Sequence, residues 1–503
     1  MVDRPTPVPD LDWTPAQADL FTARVAALWS EVLSGIRSRE LPVTRQHTVD
    51  GLRESMAIDV PDVPMGDDAL IAYLRELALE RSSYMGHPRF LAYVSGAGTV
   101  PGAAADLLAS GLNMNAGGWG LGAVATEIEM HLCRWFAQEV FGLPGTSGGE
   151  LTSGGALANF IALKVARDRR ATWDVRNEGV GAGPALGFYL SSETHEVSLR
   201  AADMLGVGWQ NVRKIRARPD YRFDVDALRE QIREDREAGI QPAVVVATAG
   251  TVLTGVVDPL DELADLCAEV GMWLHVDAAY GGPAMLAEDL RPQFVGIERA
   301  DSIAFDPHKW LYTPHPGGCV LVRNFGDLRG SFDVFHLAYV HESADPSEKI
   351  DLGRIGPNFS RSFQSLKVWV SLLAHGRDAY ARRISHDAEL ARYLGALAEE
   401  HPAFELCTPV GLSITVFRYV PPDLRDDDGR GAYLDALNAR LVEAIQADGR
   451  VFVSNAELQD GTFALRSCVV NYRTEAEDME AVLAVAEELG ARLDLELRPE
   501  DLR

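Results

Sequence analysis

The 503-residue chain has little cysteine, an acid-biased charge and no long apolar run. Its five cysteines, Cys133, Cys267, Cys319, Cys407 and Cys468, form no CxxC pair and no metal-ligand spacing. That argues against a disulfide framework or a metal centre, so no metal is expected, and it fits a reduced, cytoplasmic setting. Lys and Arg number 47 against 74 Asp and Glu, a formal charge of −27, and no basic stripe offsets it. A nucleic-acid partner is therefore disfavoured, and the acidity reads as a solubility device. The most apolar window, residues 243–257, is broken by Thr and Gly and reads as a buried strand plus loop, which leaves no membrane segment. The opening MVDRPTPVPDLDW lacks a basic stretch followed by an apolar one, so it reads as an arm and not as a secretory signal.

What is present is an ordinary globular composition, 47% hydrophobic and 24% charged, in a chain too long for one common core. Helical spacing marks residues 16–36 and 67–81, separated by Pro- and Asp-rich sequence, as an N-terminal helical arm over 1–85. A helix is expected at 126–141, turns through LPGTSGGELTSGG, and a further helix at 156–170. Short β-rich runs then alternate with helical ones up to 318–322, the pattern of an α/β domain with a mostly parallel sheet, over 86–325. Residues 326–375 read as a catalytic loop and linking helix, and 376–503 as a small C-terminal α+β domain carrying the hydrophilic loop PPDLRDDDGRG.

Two strand ends carry the chemistry. LHVDAAYGG places Asp277 at the end of one apolar run, with small neighbours such as Ala279 that let a flat ring approach. DSIAFDPHKW ends another with Asp306, His308 and Lys309, where Pro307 restrains the chain and Trp310 argues against exposure. Either residue alone is commonplace. Together, a lysine able to form an imine and an aspartate able to hold a protonated ring nitrogen are what pyridoxal phosphate requires. Burial near other cations would lower the lysine pKa in the useful direction. TSGGALAN supplies a phosphate cradle at Ser153, Gly154, Gly155 and Ala156, and its spacing is not that of a nucleotide P-loop. His195, in SSETHEVSLRAA, could stack on the ring, and Thr251, in ATAGTVLTG, lies past another strand end.

These motifs, with HPRFLAY (87–93), RSFQSLKVW (361–369) and LRSCVVNYRTEAED (465–478), resemble in kind and order the pyridoxal-phosphate-dependent group II decarboxylases, the family of aromatic amino acid, glutamate and diaminobutyrate decarboxylases. The resemblance implies a fold-type I homodimer with active sites at the subunit interface. In it Lys309 would carry the cofactor, Asp277 would meet the pyridine nitrogen and His195 would stack on the ring. It also implies a loop near residues 332–347 bearing a proton-donating tyrosine, placed on Tyr339, with Phe335 a rival for that position. In related aldehyde synthases a phenylalanine replaces the tyrosine. Asp306 departs from the asparagine found before Pro-His-Lys in the animal enzymes.

His87, Tyr93, Asn115 and Trp119 are the candidate substrate residues. Around the last two, LNMNAGGWG is less apolar than the pocket wall of aromatic decarboxylases, which leaves room for a polar or hydroxylated substrate. The activity expected is α-decarboxylation of an L-amino acid to an amine and carbon dioxide. Decarboxylation with oxidative deamination to an aldehyde is the alternative, and a non-catalytic scaffold the third reading.

Overall fold

A computed structural model describes residues 11–334, 349–425 and 430–502. Seven strands make the main sheet: β1 (Gly148–Thr152), β2 (Leu186–Ser191), β3 (Val212–Ile215), β4 (Gln241–Thr248), β5 (Trp273–Asp277), β6 (Ser302–Phe305) and β7 (Gly318–Val322). Their order is β1-β7-β6-β5-β4-β2-β3, with β3, β2, β4, β5 and β6 parallel and β7 antiparallel to both β6 and β1. The sheet is thus mostly parallel, as the alternation of strands and helices implies.

Both faces are covered, and alternate residues of β4 show it: Val245 and Ala247 belong to one apolar core, Val244 and Val246 to the other. Such continuously apolar strands are what a sheet buried on both sides needs. In β5 the same alternation sends Leu274 and Val276 into the first core and leaves His275 and Asp277 on the opposite face, under helix Gly155–Arg170.

β1 was not expected, since GTSGGELT reads as turn chemistry. Its glycines instead allow a close strand approach: a Cβ at Gly149 would stand 2.0 Å from the Val320 carbonyl oxygen. The short β3 and helix Val225–Glu237 also lie between the expected elements.

A second, antiparallel sheet joins β8 (Phe404–Leu406), β9 (Ile414–Tyr419), β10 (Ser454–Glu457) and β11 (Phe463–Cys468) in the order β10-β11-β9-β8. Helices Arg377–Glu400, Gly431–Asp448 and Ala476–Leu497 pack on it around their own core, which includes Leu394, Leu441 and Val482. At the N-terminus, helix Pro15–Ser38 is closed by a Thr14–Gln17 capping box yet buries only Ile36. Among the described residues, no helix is long and apolar enough to cross a membrane.

Candidate active site

Parallel strands that end side by side open a crevice at their carboxyl ends, and ligands collect there. Here Thr248 of β4 pairs with Asp277 of β5, and Asp277 with Ala304 of β6, so three strand tips converge. The chain leaves β6 through Asp306 and turns at once to Lys309. The resulting cavity, with about 510 Å³ of open space, is lined by Asp277, Ala279, Asp306, Lys309, His195 and the Gly155–Ala156 turn, with Val94, Val252 and Tyr280 as apolar walls.

Asp277 is buried, and its Oδ1 accepts the Ala279 N–H at 3.0 Å. Behind it on the same strand, His275 bonds Ser302 Oγ at 2.9 Å and Asn159 Oδ1 at 2.8 Å, while Asn159 donates to the Gly155 carbonyl at 2.9 Å. Because Asn159 Oδ1 can only accept, the His275 proton sits on Nε2, and Ser302 donates to Nδ1. Burial pushes the His275 pKa down to about 4, so this ring is neutral behind the Asp277 carboxylate.

Lys309 differs from expectation in its partner. Its Nζ lies 2.9 Å from Asp306 Oδ2. Burial works against the ammonium, but the Asp306 carboxylate, with Asp277 beyond it, outweighs burial and holds the amine above the ordinary lysine range. The sequence reading had cations lowering it; the neighbours that matter are carboxylates. Burial also raises the Asp306 carboxyl, against the pull of Lys309. His308 is buried, its Nδ1 engaged by Gly317 and its ring 4.0 Å from that of His315; burial first, and then the neighbouring His315 and Lys309 charges, push its pKa to about 3.

The cradle sits where β1 passes into helix Gly155–Arg170. Gly154 occupies the N-cap at φ +155°, a conformation that side chains rarely adopt, and a Cβ on Gly155 would fall 2.7 Å from Asp306 Oδ2. Thr152 and Ser153 precede it, and Ser153 and Ala156 are exposed at the rim. Free N–H groups at a helix start suit an anion. The donor set therefore fits pyridoxal phosphate: a small-residue helix start for the phosphate, an inward carboxylate for the ring nitrogen, a lysine between them, and a buried Asp306 Oδ1 with no hydrogen-bond partner among the described residues. Among the described residues, no cluster of His, Cys, Asp or Glu is placed to hold a metal ion.

His195 reaches the cavity from the turn after β2, with Nδ1 accepting the Val197 N–H at 3.2 Å, which leaves Nε2 as the ring's N–H donor. Other expected residues lie elsewhere. Thr251 is fully buried in its own turn, bonded to Thr254 Oγ1 at 3.0 Å, and Thr248 lines the cavity in its place. His87 is buried beneath the C-terminal sheet region, its carbonyl accepting from Asn471 at 2.7 Å, and burial lowers its pKa to about 4. Tyr93 points outward at 58% exposure, although the next residue, Val94, lines the cavity. Asn115 Oδ1 accepts from Gly117 and Arg361 backbone N–H groups at 2.9 and 3.1 Å, and Trp119 donates its indole N–H to Glu127 at 2.9 Å; neither lines the Lys309 cavity. Tyr339 and Phe335 lie outside the described residues.

Two residues escaped the sequence reading. Arg466 of β11 is buried and donates from Nη1 to the Tyr93 carbonyl at 3.0 Å, while its Nε and Nη2 have no hydrogen-bond partner among the described residues. Asp387 is fully buried and accepts from the Trp310 indole at 3.0 Å, the Tyr312 hydroxyl at 2.6 Å and Arg383 Nε at 2.9 Å, which fixes the turn that carries Lys309. The partners that place them, Tyr93 for Arg466 and Trp310 and Tyr312 for Asp387, are distant in sequence, so only the fold reveals them.

Comparison with known proteins agrees with this geometry. Residues 52–420 match the pyridoxal-dependent decarboxylase conserved domain. An aromatic-L-amino-acid decarboxylase of Bacillus atrophaeus is 36% identical over 454 residues, covering 89% of this chain and 92% of the relative. A phenylacetaldehyde synthase of a Rosa hybrid cultivar is 28% identical over 84% of each chain. The crystal structure of Oryza sativa TDC with PLP and tryptamine superposes with a TM-score of 0.89 at 26% identity, over 96% of this chain and 99% of that one. The matched domain and the lysine–aspartate cavity together assign the chain: it belongs to the pyridoxal-dependent decarboxylases and is a pyridoxal-phosphate-dependent carboxy-lyase acting on amino acids.

Proposed function

We propose that the substrate is an aromatic L-amino acid, released as the corresponding amine and carbon dioxide by a cytoplasmic homodimer. The observation that carries this reading is the aromatic-L-amino-acid decarboxylase relative, 36% identical over nearly the whole length, joined to a cavity whose walls include Tyr280 and valines. Bound pyridoxal phosphate supplies an electron sink conjugated with the substrate amine. Asp277 holds the proton at the ring nitrogen, and its burial keeps water from competing for that contact. Lys309 anchors the cofactor, and His195 presents Nε2–H over the cavity.

Arg466, buried behind the cavity wall at Tyr280 with Nε and Nη2 unpaired among the described residues, is the residue proposed to orient the α-carboxylate, in the fork geometry that carboxylates match. Holding that group fixed selects which bond to the α-carbon breaks. Tyr339 is assigned the final proton transfer on sequence grounds.

The dimer is supported by apolar surface. Helix Val100–Leu112 leaves Leu107 and Leu108 more than half exposed, and helix Pro15–Ser38 leaves Leu20 at 61%. A second copy covering these faces would bury them. All five cysteines are free, in keeping with a cytoplasmic protein.

The test is a panel of aromatic, hydroxylated, acidic and basic L-amino acids, with carbon dioxide, amine, oxygen uptake and peroxide scored separately. Equal yields of carbon dioxide and aromatic amine without oxygen uptake are expected. Preference for acidic or basic substrates would overturn the substrate class. Oxygen uptake with peroxide would favour the aldehyde-forming reading, which Phe335 and the phenylacetaldehyde synthase relative motivate.

A further inference from the structure

Asp306 stands at a junction the reaction scheme does not use. Its Oδ2 is paired with Lys309 Nζ at 2.9 Å, and the same atom lies where a Cβ on Gly155, the first residue of the cradle helix, would fall at 2.7 Å. The second carboxylate oxygen, Oδ1, is buried without a hydrogen-bond partner among the described residues. One side chain therefore touches both the amine that must react and the cradle that must take up a phosphate.

Each of those events is opposed by charge. A protonated Lys309 has no lone pair to offer, and a phosphate ester carrying about −1.5 to −2 charge is repelled by a carboxylate beside its site. The other groups facing Asp306 cannot relieve this. His308 Nε2, 4.0 Å away on the same turn, is buried and held neutral near pH 7, while His315, from the loop before β7, is exposed, with burial of part of its ring holding its pKa below the usual histidine range. Helix Gly155–Arg170 presents backbone only at this point, and from β5 the nearest charge is that of Asp277, also negative. Lys309 is the one cation facing Asp306 among the described residues.

We propose that Asp306 accepts the proton that Lys309 must lose to join the cofactor, and that the same transfer removes the negative charge beside the phosphate cradle. The proton passes from Nζ to Oδ2. The freed lone pair on Nζ then bonds the aldehyde carbon of pyridoxal phosphate, and the carbonyl oxygen leaves as water with the two hydrogens of the neutral amine. Asp306, now uncharged, remains against Gly155. The inference rests on the assignment of Lys309 as the cofactor lysine.

Its signature is a rate of capture that does not follow bulk pH. An exchange inside the pair leaves its proton count unchanged, whereas an amine that deprotonates to solvent gains about tenfold in reactive form per pH unit. Cofactor-free protein is mixed with pyridoxal 5′-phosphate, sampled into borohydride, and the Lys309 adduct counted by mass spectrometry. The range is about pH 7 to 9, above the phosphate's own titration near pH 6. The wild-type rate is expected to stay level; in Asp306→Asn, where burial acts on the amine without that carboxylate, the rate should differ from wild type and rise with pH until the amine is deprotonated, and Asp306→Glu should restore the wild-type profile. A wild-type rate that climbs tenfold per unit overturns the proposal even if Asp306→Asn fails to fold, and so does an Asp306→Asn protein that matches wild type in both rate and profile. Absence of any adduct at Lys309 in wild-type protein would overturn the assignment of the lysine itself.

Discussion

Replacing Asp387 by Ala removes a buried acceptor from three donors at once: the Trp310 indole N–H at 3.0 Å, the Tyr312 hydroxyl at 2.6 Å and Arg383 Nε at 2.9 Å. Breaking one side of a buried charged pair costs about 3–5 kcal/mol, because the partner charge is left desolvated. Arg383 also donates to the Thr474 and Asn471 carbonyls at 2.7 and 3.2 Å and to the Glu475 carboxylate at 3.4 Å, so it keeps partners and the loss falls toward the lower end of that range. For a domain of ordinary stability, roughly 5–15 kcal/mol, that is a large fraction. Asp387→Asn retains one acceptor oxygen and should lose less. The consequence reaches function, because Trp310 stacks on Tyr280 at 5.1 Å and follows Lys309 directly. Urea unfolding with the cofactor bound and absent measures the cost, and steady-state kinetics report kcat alongside it. A loss below about 1 kcal/mol, the size of a single ordinary hydrogen bond, would refute the view that this carboxylate holds the lysine turn to helix Arg377–Glu400.

Other outcomes follow from the same geometry. His275 is neutral in the fold, with a pKa near 4 against 6.5 for a free side chain, so the unfolded chain binds the extra proton and stability is lost as pH falls from 6.5 toward 4. Between pH 7 and pH 5 this should cost wild-type protein about 2 kcal/mol more than His275→Gln, measured by urea unfolding at both values; equal losses would contradict it. Arg466→Gln should raise KM for the amino acid at least tenfold while leaving cofactor binding intact, since about 1.4 kcal/mol of carboxylate binding accounts for that factor. Unchanged KM would remove Arg466 from the substrate site.

The sequence made the strand tips legible because each chemical group there follows an apolar run: Asp277 closes β5 and Lys309 lies just beyond β6. The fold class was legible for the same reason, through runs such as AVVVA in β4. β1 was not, because glycines chosen for strand approach look like glycines chosen for turns. Asp387 and Arg466 were hidden by distance along the chain, since the contacts that define them, to Trp310 and Tyr93, cross 77 and 373 residues. The ion pair of Lys309 with Asp306 was visible as letters three apart, but which charge sets the lysine's state depends on geometry. Trp119 meets Glu127 close by in sequence, whereas Asn115 meets the Arg361 backbone 246 residues away, a contact no local pattern announces.

The central claim is that Asp277 and Lys309 hold opposite ends of one ring. ¹⁵N NMR of the protein loaded with cofactor labelled at the ring nitrogen tests it most directly. The account predicts a protonated nitrogen in wild-type protein and an unprotonated one in Asp277→Asn; the same protonated signal in both would contradict it.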